Sequence, residues 1–149
     1  MKIAHAVLVV AAVGAAQMAP RQLHQRQRNE VAVARLQHDW LTHLTRHPDL
    51  AKQWIPEGMD MGEEEFVQLL NANQQACALG LRNRLGLARG ERLAFMAETF
   101  MKQEVGRRYW KAFGGYRQDE SVGDGWARRF NRCMDDACVA HLETDPVGV

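Results

Sequence analysis

The sequence predicts an all-α protein in which an N-terminal transmembrane helix continues into a bundle of five to six helices. Three observations lead there. Ile3 to Ala19 contains no Lys, Arg, Asp or Glu and is interrupted only by His5 and Gln17. Beyond residue 30, apolar side chains recur at spacings of three and four, the period of an amphipathic helix. No alternating Val/Ile/Thr run bounded by turn residues follows residue 20, so strand signals are scarce.

The apolar run sits at the short limit for a bilayer span, which takes about 20 residues, roughly 17 to 25. Lys2 precedes it and Arg21, Arg26 and Arg28 follow it. Positive charge marks the cytoplasmic side, so the expected protein is a single-pass protein of the cell membrane with its C-terminal domain in the cytoplasm. A cleaved secretory signal is the competing reading, with Val13 and Ala15, or Gly14 and Ala16, as the small cleavage pair. Such a signal places its positive charge ahead of the apolar run, whereas more of it follows here. A buried or surface helix is the third reading. The expected organisation is an anchor or uncleaved signal at 1–20, a helical domain at 21–142 and a flexible tail at 143–149.

About 130 residues remain after the anchor, enough for one domain with a core. Hydrophobic content is 46%, charged content 25% and net charge +1, so no global bias toward nucleic acid exists. Mean hydropathy is −0.40 despite the apolar start, so the remainder is strongly hydrophilic. Cys77, Cys133 and Cys138 are odd in number, and a spacing of five on one helix suits Cys133 and Cys138 poorly for a bridge. No disulfide framework is implied, which fits a reducing compartment.

The elements follow in order. Val33, Leu36, Trp40, Leu44 and His47 form one stripe, widened by Leu41, on a helix that stops before Pro48 and can run back unbroken into the apolar segment. Pro48 opens a short helix to Trp54, and Ile55-Pro-Glu-Gly58 breaks it. Asp60 with Glu63 resembles a capping box for a third helix, with Glu63, Glu64 and Glu65 in its first turn, running to Leu85 and capped by Gly86. A fourth helix spans Leu87 to Lys102. Gly106 marks a break or a tight approach before a fifth, which Gly114-Gly115 ends. Trp126, Phe130, Cys133, Met134 and Ala137 make the sixth after the Ser121–Gly125 turn. The four tryptophans, at 40, 54, 110 and 126, are expected to meet in one core.

No serine-hydrolase elbow, phosphate loop or dinucleotide fingerprint is present, and no catalytic residue is assigned. His43 and His47 lie one helical turn apart, with His38 just before, and two such rings can share a metal. No Cys-x-x-Cys or His-Glu-x-x-His motif supplies further ligands, so no metal and no cofactor is expected. The acidic run Glu57, Asp60, Glu63, Glu64, Glu65 is explained mostly by the start of a helix. Lys102 to Arg132 holds eight Lys/Arg against four Asp/Glu, and two segments there, Gly106-Arg-Arg-Tyr-Trp110 and Trp126-Ala-Arg-Arg-Phe130, interleave arginine pairs with aromatics. Arginine stems can cover an aromatic core, but such pairs also hold phosphates or lie on an anionic membrane. Asn73 and Gln74 border an apolar stripe and can bond to Arg84 or another helix. Cys77, mid-helix among apolar neighbours, lacks the electropositive surroundings that activate a thiol.

The order of His47-Pro-Asp-Leu-Ala-Lys-Gln-Trp54, Asn71-Ala-Asn73, Leu85-Gly-Leu87, Gly106-Arg-Arg-Tyr-Trp110 and Arg128-Arg-Phe130 with Asp135-Asp136 resembles an uncharacterised family of small actinobacterial proteins, a domain of unknown function. The likeness covers roughly residues 30 to 140. It implies an apolar N-terminal segment followed by a helical domain, and no activity, substrate or cofactor.

The expected role is that of a membrane-anchored binding or regulatory module. Arg107, Arg108, Arg128 and Arg129 would dock an acidic protein surface or anionic lipid; nucleic acid is not the expected partner. The acidic run meeting the basic face of a second copy would give a homo-oligomer. The alternative is an enzyme with a site near His43 and His47, metal-dependent or not.

Overall fold

The computed structural model describes the backbone of residues 2–144 and the side chains of residues 21–142. Six α-helices follow one another: α1 Lys2–Arg46, α2 Pro48–Ala51, α3 Glu63–Arg84, α4 Gly90–Lys102, α5 Glu104–Glu120 and α6 Gly125–Thr144, with a 3₁₀ turn, Lys52–Trp54, after α2. No strand occurs among the described residues. No helix among them is long and apolar enough to cross a membrane. The expected anchor at 1–20 falls on residues whose side chains lie outside the described ones, as does the expected tail at 143–149.

α1 runs unbroken until Pro48 forces His47 out of helical geometry, as expected from sequence. Its packed face keeps only Leu41 and Leu44 of the expected stripe. Leu41 and Leu44 are buried, but Val33 is 64% and Leu36 71% exposed. The face against α3 instead runs through Glu30, Ala34, Gln37, Leu41 and Leu44, spaced four, three, four and three. Its members at 30 and 37 are polar and bond across: Glu30 pairs with Arg84 at 3.5 Å, and Gln37 donates to Cys77 Sγ at 3.5 Å. Gln74 on α3 adds bonds to the His38 carbonyl at 3.2 Å and Thr42 Oγ1 at 2.8 Å. Apolar spacing misses this face because two of its five members, Glu30 and Gln37, are polar and bond across it.

Those pairings fix direction. Residues 30, 37 and 42 of α1 meet 84, 77 and 74 of α3, so the two helices are antiparallel. Arg108 pairs with Glu65 and Arg117 with Cys77, so α5 runs parallel to α3. Trp110 and Gln118 of α5 both bond Asp135, and Asn131 bonds the Arg117 carbonyl, which sets α6 antiparallel to α5. The bundle therefore has two ends. The proximal end, toward residue 21 of α1, gathers the C-terminus of α3, the start of α4, the end of α5 and the start of α6. The distal end carries α2, the start of α3 and the α4–α5 joint.

The main core joins α3, α4, α5 and α6 around Leu69, Leu93, Met101, Tyr109, Trp110, Phe130 and Met134; a smaller one seats Leu41 and Leu44 on Ala51, Phe66 and Leu70. Of the four tryptophans only Trp110 is in the core. Trp40 is 46% and Trp54 58% exposed, stacked edge-on at 5.7 Å, and Trp126 is half-buried. The single expected aromatic core is thus replaced by a Tyr109, Trp110 and Phe113 cluster on one helix.

Helix ends account for the remaining differences. Gly62, not Asp60, precedes α3, and no side chain caps it, so the capping box does not form. At the other end the expected cap is present: Gly86 has φ +78°, its N–H bonds the Asn83 carbonyl at 3.0 Å and the Leu87 N–H reaches Arg82 at 2.8 Å. Gly106 is the tight approach of the two expected alternatives, not the break: it lies in the first turn of α5, where an added Cβ would fall 2.3 Å from the Phe100 carbonyl oxygen. Gly114 and Gly115 do not end α5, which continues to Glu120. Each glycine costs a helix about 1 kcal/mol relative to alanine, an amount that packing of the following turn against α3 and α6 can offset.

Candidate functional site

The last five residues of α5, beyond Gly115, place Arg117 over α3 and open a cleft bounded by α1, α3, α5 and α6. Its volume is about 500 Å³, within the range of ligand sites, roughly 300–1,000 Å³. Phe66, Leu70, Phe113, Trp54 and Pro56 line its distal half; Arg84, Glu120, Ser121, Asp124 and Trp126 line its proximal half.

Between the halves lies a polar centre. Arg117 Nε donates to Tyr109 Oη at 2.6 Å, and one terminal nitrogen, Nη2, donates to Asn73 Oδ1 at 2.8 Å and Cys77 Sγ at 3.0 Å. Tyr109 Oη in turn donates to Asn73 Oδ1 at 2.9 Å. Burial pushes the Tyr109 phenol up against the opposing pull of Arg117, so this hydroxyl stays protonated and keeps its donor. For Arg117, burial acts to lower the pKa, but the surrounding Tyr109 and Cys77 groups outweigh it and hold the guanidinium above its ordinary value. Its three acceptors are a phenol, an amide and a cysteine sulfur, none of them a carboxylate. Neither cleft carboxylate lies within ion-pair distance of Arg117: Asp124 is engaged with Arg84, and Glu120 is exposed.

Asp124 joins two elements. Its Oδ1 accepts from the N–H groups of Trp126 at 3.0 Å and Ala127 at 3.1 Å, which caps α6, and its Oδ2 pairs with Arg84. Burial acts to raise its pKa, but the Arg84 and backbone hydrogen bonds win and leave the carboxyl below its ordinary range. Trp126, in the proximal wall of the cleft, is flanked by two guanidiniums, Arg89 at 5.1 Å and Arg129 at 5.2 Å from its ring centroid.

The four arginines singled out from sequence divide between the ends. Arg107, in the distal first turns of α5, donates to the Met101 carbonyl at 2.7 Å and the Lys102 carbonyl at 3.1 Å, closing the C-terminus of α4. Arg108 pairs with Glu65 of the acidic run. Arg128 and Arg129 are exposed at the proximal start of α6. The structure brings together Arg89, Arg129 and Trp126, a combination that sequence spacing alone does not suggest because Arg89 comes from the α3–α4 loop.

The histidines lie elsewhere. The His43 and His47 rings lie tilted at 47° with centroids 4.6 Å apart, and His43 stacks on Trp40 at 6.0 Å, all on exposed residues. Among the described residues no three His, Cys, Asp or Glu side chains form a group that could hold a metal ion. Asn73 bonds to α5 and Gln74 to α1, rather than to Arg84. The expectation for Cys77 is overturned: the Arg117 guanidinium stands 3.0 Å from its sulfur. A helix ended at Gly114-Gly115 leaves Arg117 unplaced; the signal for it in the sequence is the spacing of Tyr109 and Arg117, eight apart on one helical face.

The sequence matches a family of unknown function, DUF6082, over residues 1–148. The chain belongs to that family. No curated protein and no solved structure shows a significant similarity to it.

Proposed function

We propose that this member of the DUF6082 family is a membrane-tethered docking module, anchored by residues 1–20 with its helical domain in the cytoplasm. Its proximal end rests Arg89, Arg128 and Arg129 on anionic lipid headgroups. The observation that carries the reading is the direction of the bundle on α1. Leu85 and Leu87, at the end of α3, line a groove with His24, Gln27, Arg28 and Val31 of α1. His24 is four residues, about 6 Å, beyond Pro20, so the bundle end carrying these arginines sits next to the apolar segment.

The chemistry of that end fits a headgroup layer. Leu87 is 61% and Val122 83% exposed, beside Trp126 with its two guanidiniums and the exposed Arg21, Arg26 and Arg28 of α1. Amphipathic aromatics and basic residues favour this zone, and each basic residue near an anionic surface contributes about 1 kcal/mol. Three arginines would then supply about 3 kcal/mol, roughly a hundredfold in association. Arg107 and Arg108 are at the other end and serve packing.

The test is full-length protein on vesicles of phosphatidylcholine with or without phosphatidylglycerol, read by hydrogen exchange at 85–90 and 121–129. Anionic vesicles should protect both segments, and salt or R89E/R128E/R129E should remove the protection while R107E/R108E should not. Equal protection on neutral vesicles, or none on either, refutes the reading.

A further inference from the structure

We propose that the cleft between α1, α3, α5 and α6 is a binding site for a small monocarboxylate with an apolar body, held by Arg117. A guanidinium carries five N–H donors. Arg117 uses its Nε on Tyr109 and its Nη2 on Asn73 and Cys77. Nη1 has no protein acceptor among the described residues, yet no buried side-chain nitrogen is left without a partner, so Nη1 is open to solvent, and Arg117 lines the cleft. A cation largely withdrawn from water is normally matched to a counter-charge, because desolvation is costly. Here its protein contacts are a phenol, an amide and a thiol.

Those contacts do more than satisfy it. They fix the guanidinium plane, so the free donors are pre-aimed and little side-chain entropy is lost on binding. A carboxylate is the matching acceptor. Arg84, the other cation of the lining, is already paired with Glu30 and Asp124, and with Glu120 in the same wall the remaining charge favours a monoanion over a phosphate dianion. Away from Arg117, Phe66, Leu70, Phe113 and Trp54 offer an apolar lining on the distal side, which suits an alkyl or aryl tail. The site shares Trp126 with the proximal arginines, but its anion contact is Arg117, so it stands or falls independently of the membrane reading.

The experiment titrates full-length protein in detergent micelles with decanoate and 3-phenylpropionate, and with the primary amide of each. Binding is followed by calorimetry and by fluorescence of Trp54 and Trp126, which line the cleft. Acids should bind about tenfold or more tightly than their amides, the difference a charge-assisted hydrogen bond supplies. Arg117→Gln should erase the difference, and Arg117→Lys should restore part of it. Because the acid–amide comparison is made on the unaltered protein, it decides the matter even if a variant fails to fold. Equal binding of acid and amide, no binding of either, or an acid preference that persists in folded R117Q overturns the proposal.

Discussion

Arg84 of α3 reaches Glu30 of α1 with one terminal nitrogen, at 3.5 Å, and Asp124 ahead of α6 with the other. The side chains are about a third exposed, so the ion pairs themselves contribute little. Their consequence is positional: one arginine ties three elements at the proximal end and fixes the direction of α1 along the bundle.

Asp124→Ala removes the α6 cap and the Arg84 pair together and should cost about 1–2 kcal/mol in urea unfolding, whereas Asp124→Asn, which keeps a capping oxygen, should cost less. The pH dependence has a fixed sign. The folded carboxyl titrates below its ordinary 3.8, so its stabilisation is complete above that value and disappears as pH falls through the lower folded pKa. Midpoints measured between pH 6 and pH 2 should show wild type losing its advantage over Asp124→Asn only at the acid end.

The register of α1 is open to a direct comparison. Leu41→Ala should cost about 2–5 kcal/mol, since Leu41 is 6% exposed. Leu36→Ala should change stability by no more than about 0.5 kcal/mol, since Leu36 is 71% exposed. Thermal or urea midpoints of the two variants check it, and reversed costs would restore the stripe that apolar spacing suggests.

The glycines of α5 should behave oppositely. Gly106→Ala drives a Cβ to 2.3 Å from the Phe100 carbonyl oxygen, which the backbone cannot easily evade, and should destabilise by about 1–3 kcal/mol. Gly115→Ala meets nothing within 4 Å inside a helix and should stabilise by about 0.5–1 kcal/mol. Equilibrium unfolding of both variants also tests whether α5 continues past Gly115, on which the position of Arg117 depends.

The thiols of Cys133 and Cys138 are both pushed up by burial. Their reaction with a maleimide at pH 7 should be slower in the native protein than after unfolding, as followed by peptide mass. Native rates equal to unfolded ones would show α6 to be loosely packed.

Sequence alone made the helical class, most helix boundaries and the Gly86 cap legible, because each rests on local chemistry: periodicity, proline and a positive φ. What escaped was set by partners distant in the chain. Glu30 and Gln37 look like solvated residues until Arg84 and Cys77 are across from them. Gly114-Gly115 reads as a stop until α3 and α6 hold the next turn. The cleft was hidden for the same reason, since Arg117 joins Asn73 and Cys77 only when α5 is allowed its full length. The paired arginines were visible as a basic segment, but their division between opposite ends depends on helix direction.

Benzophenone side chains placed singly at positions 122 and 103, in full-length protein on phosphatidylglycerol-containing vesicles, test most directly whether the proximal end rests on lipid. Photolysis should yield lipid adducts from position 122, in the proximal α5–α6 turn, and none from position 103, at the distal α4–α5 joint. Adducts from 103, or from neither position, would contradict the account.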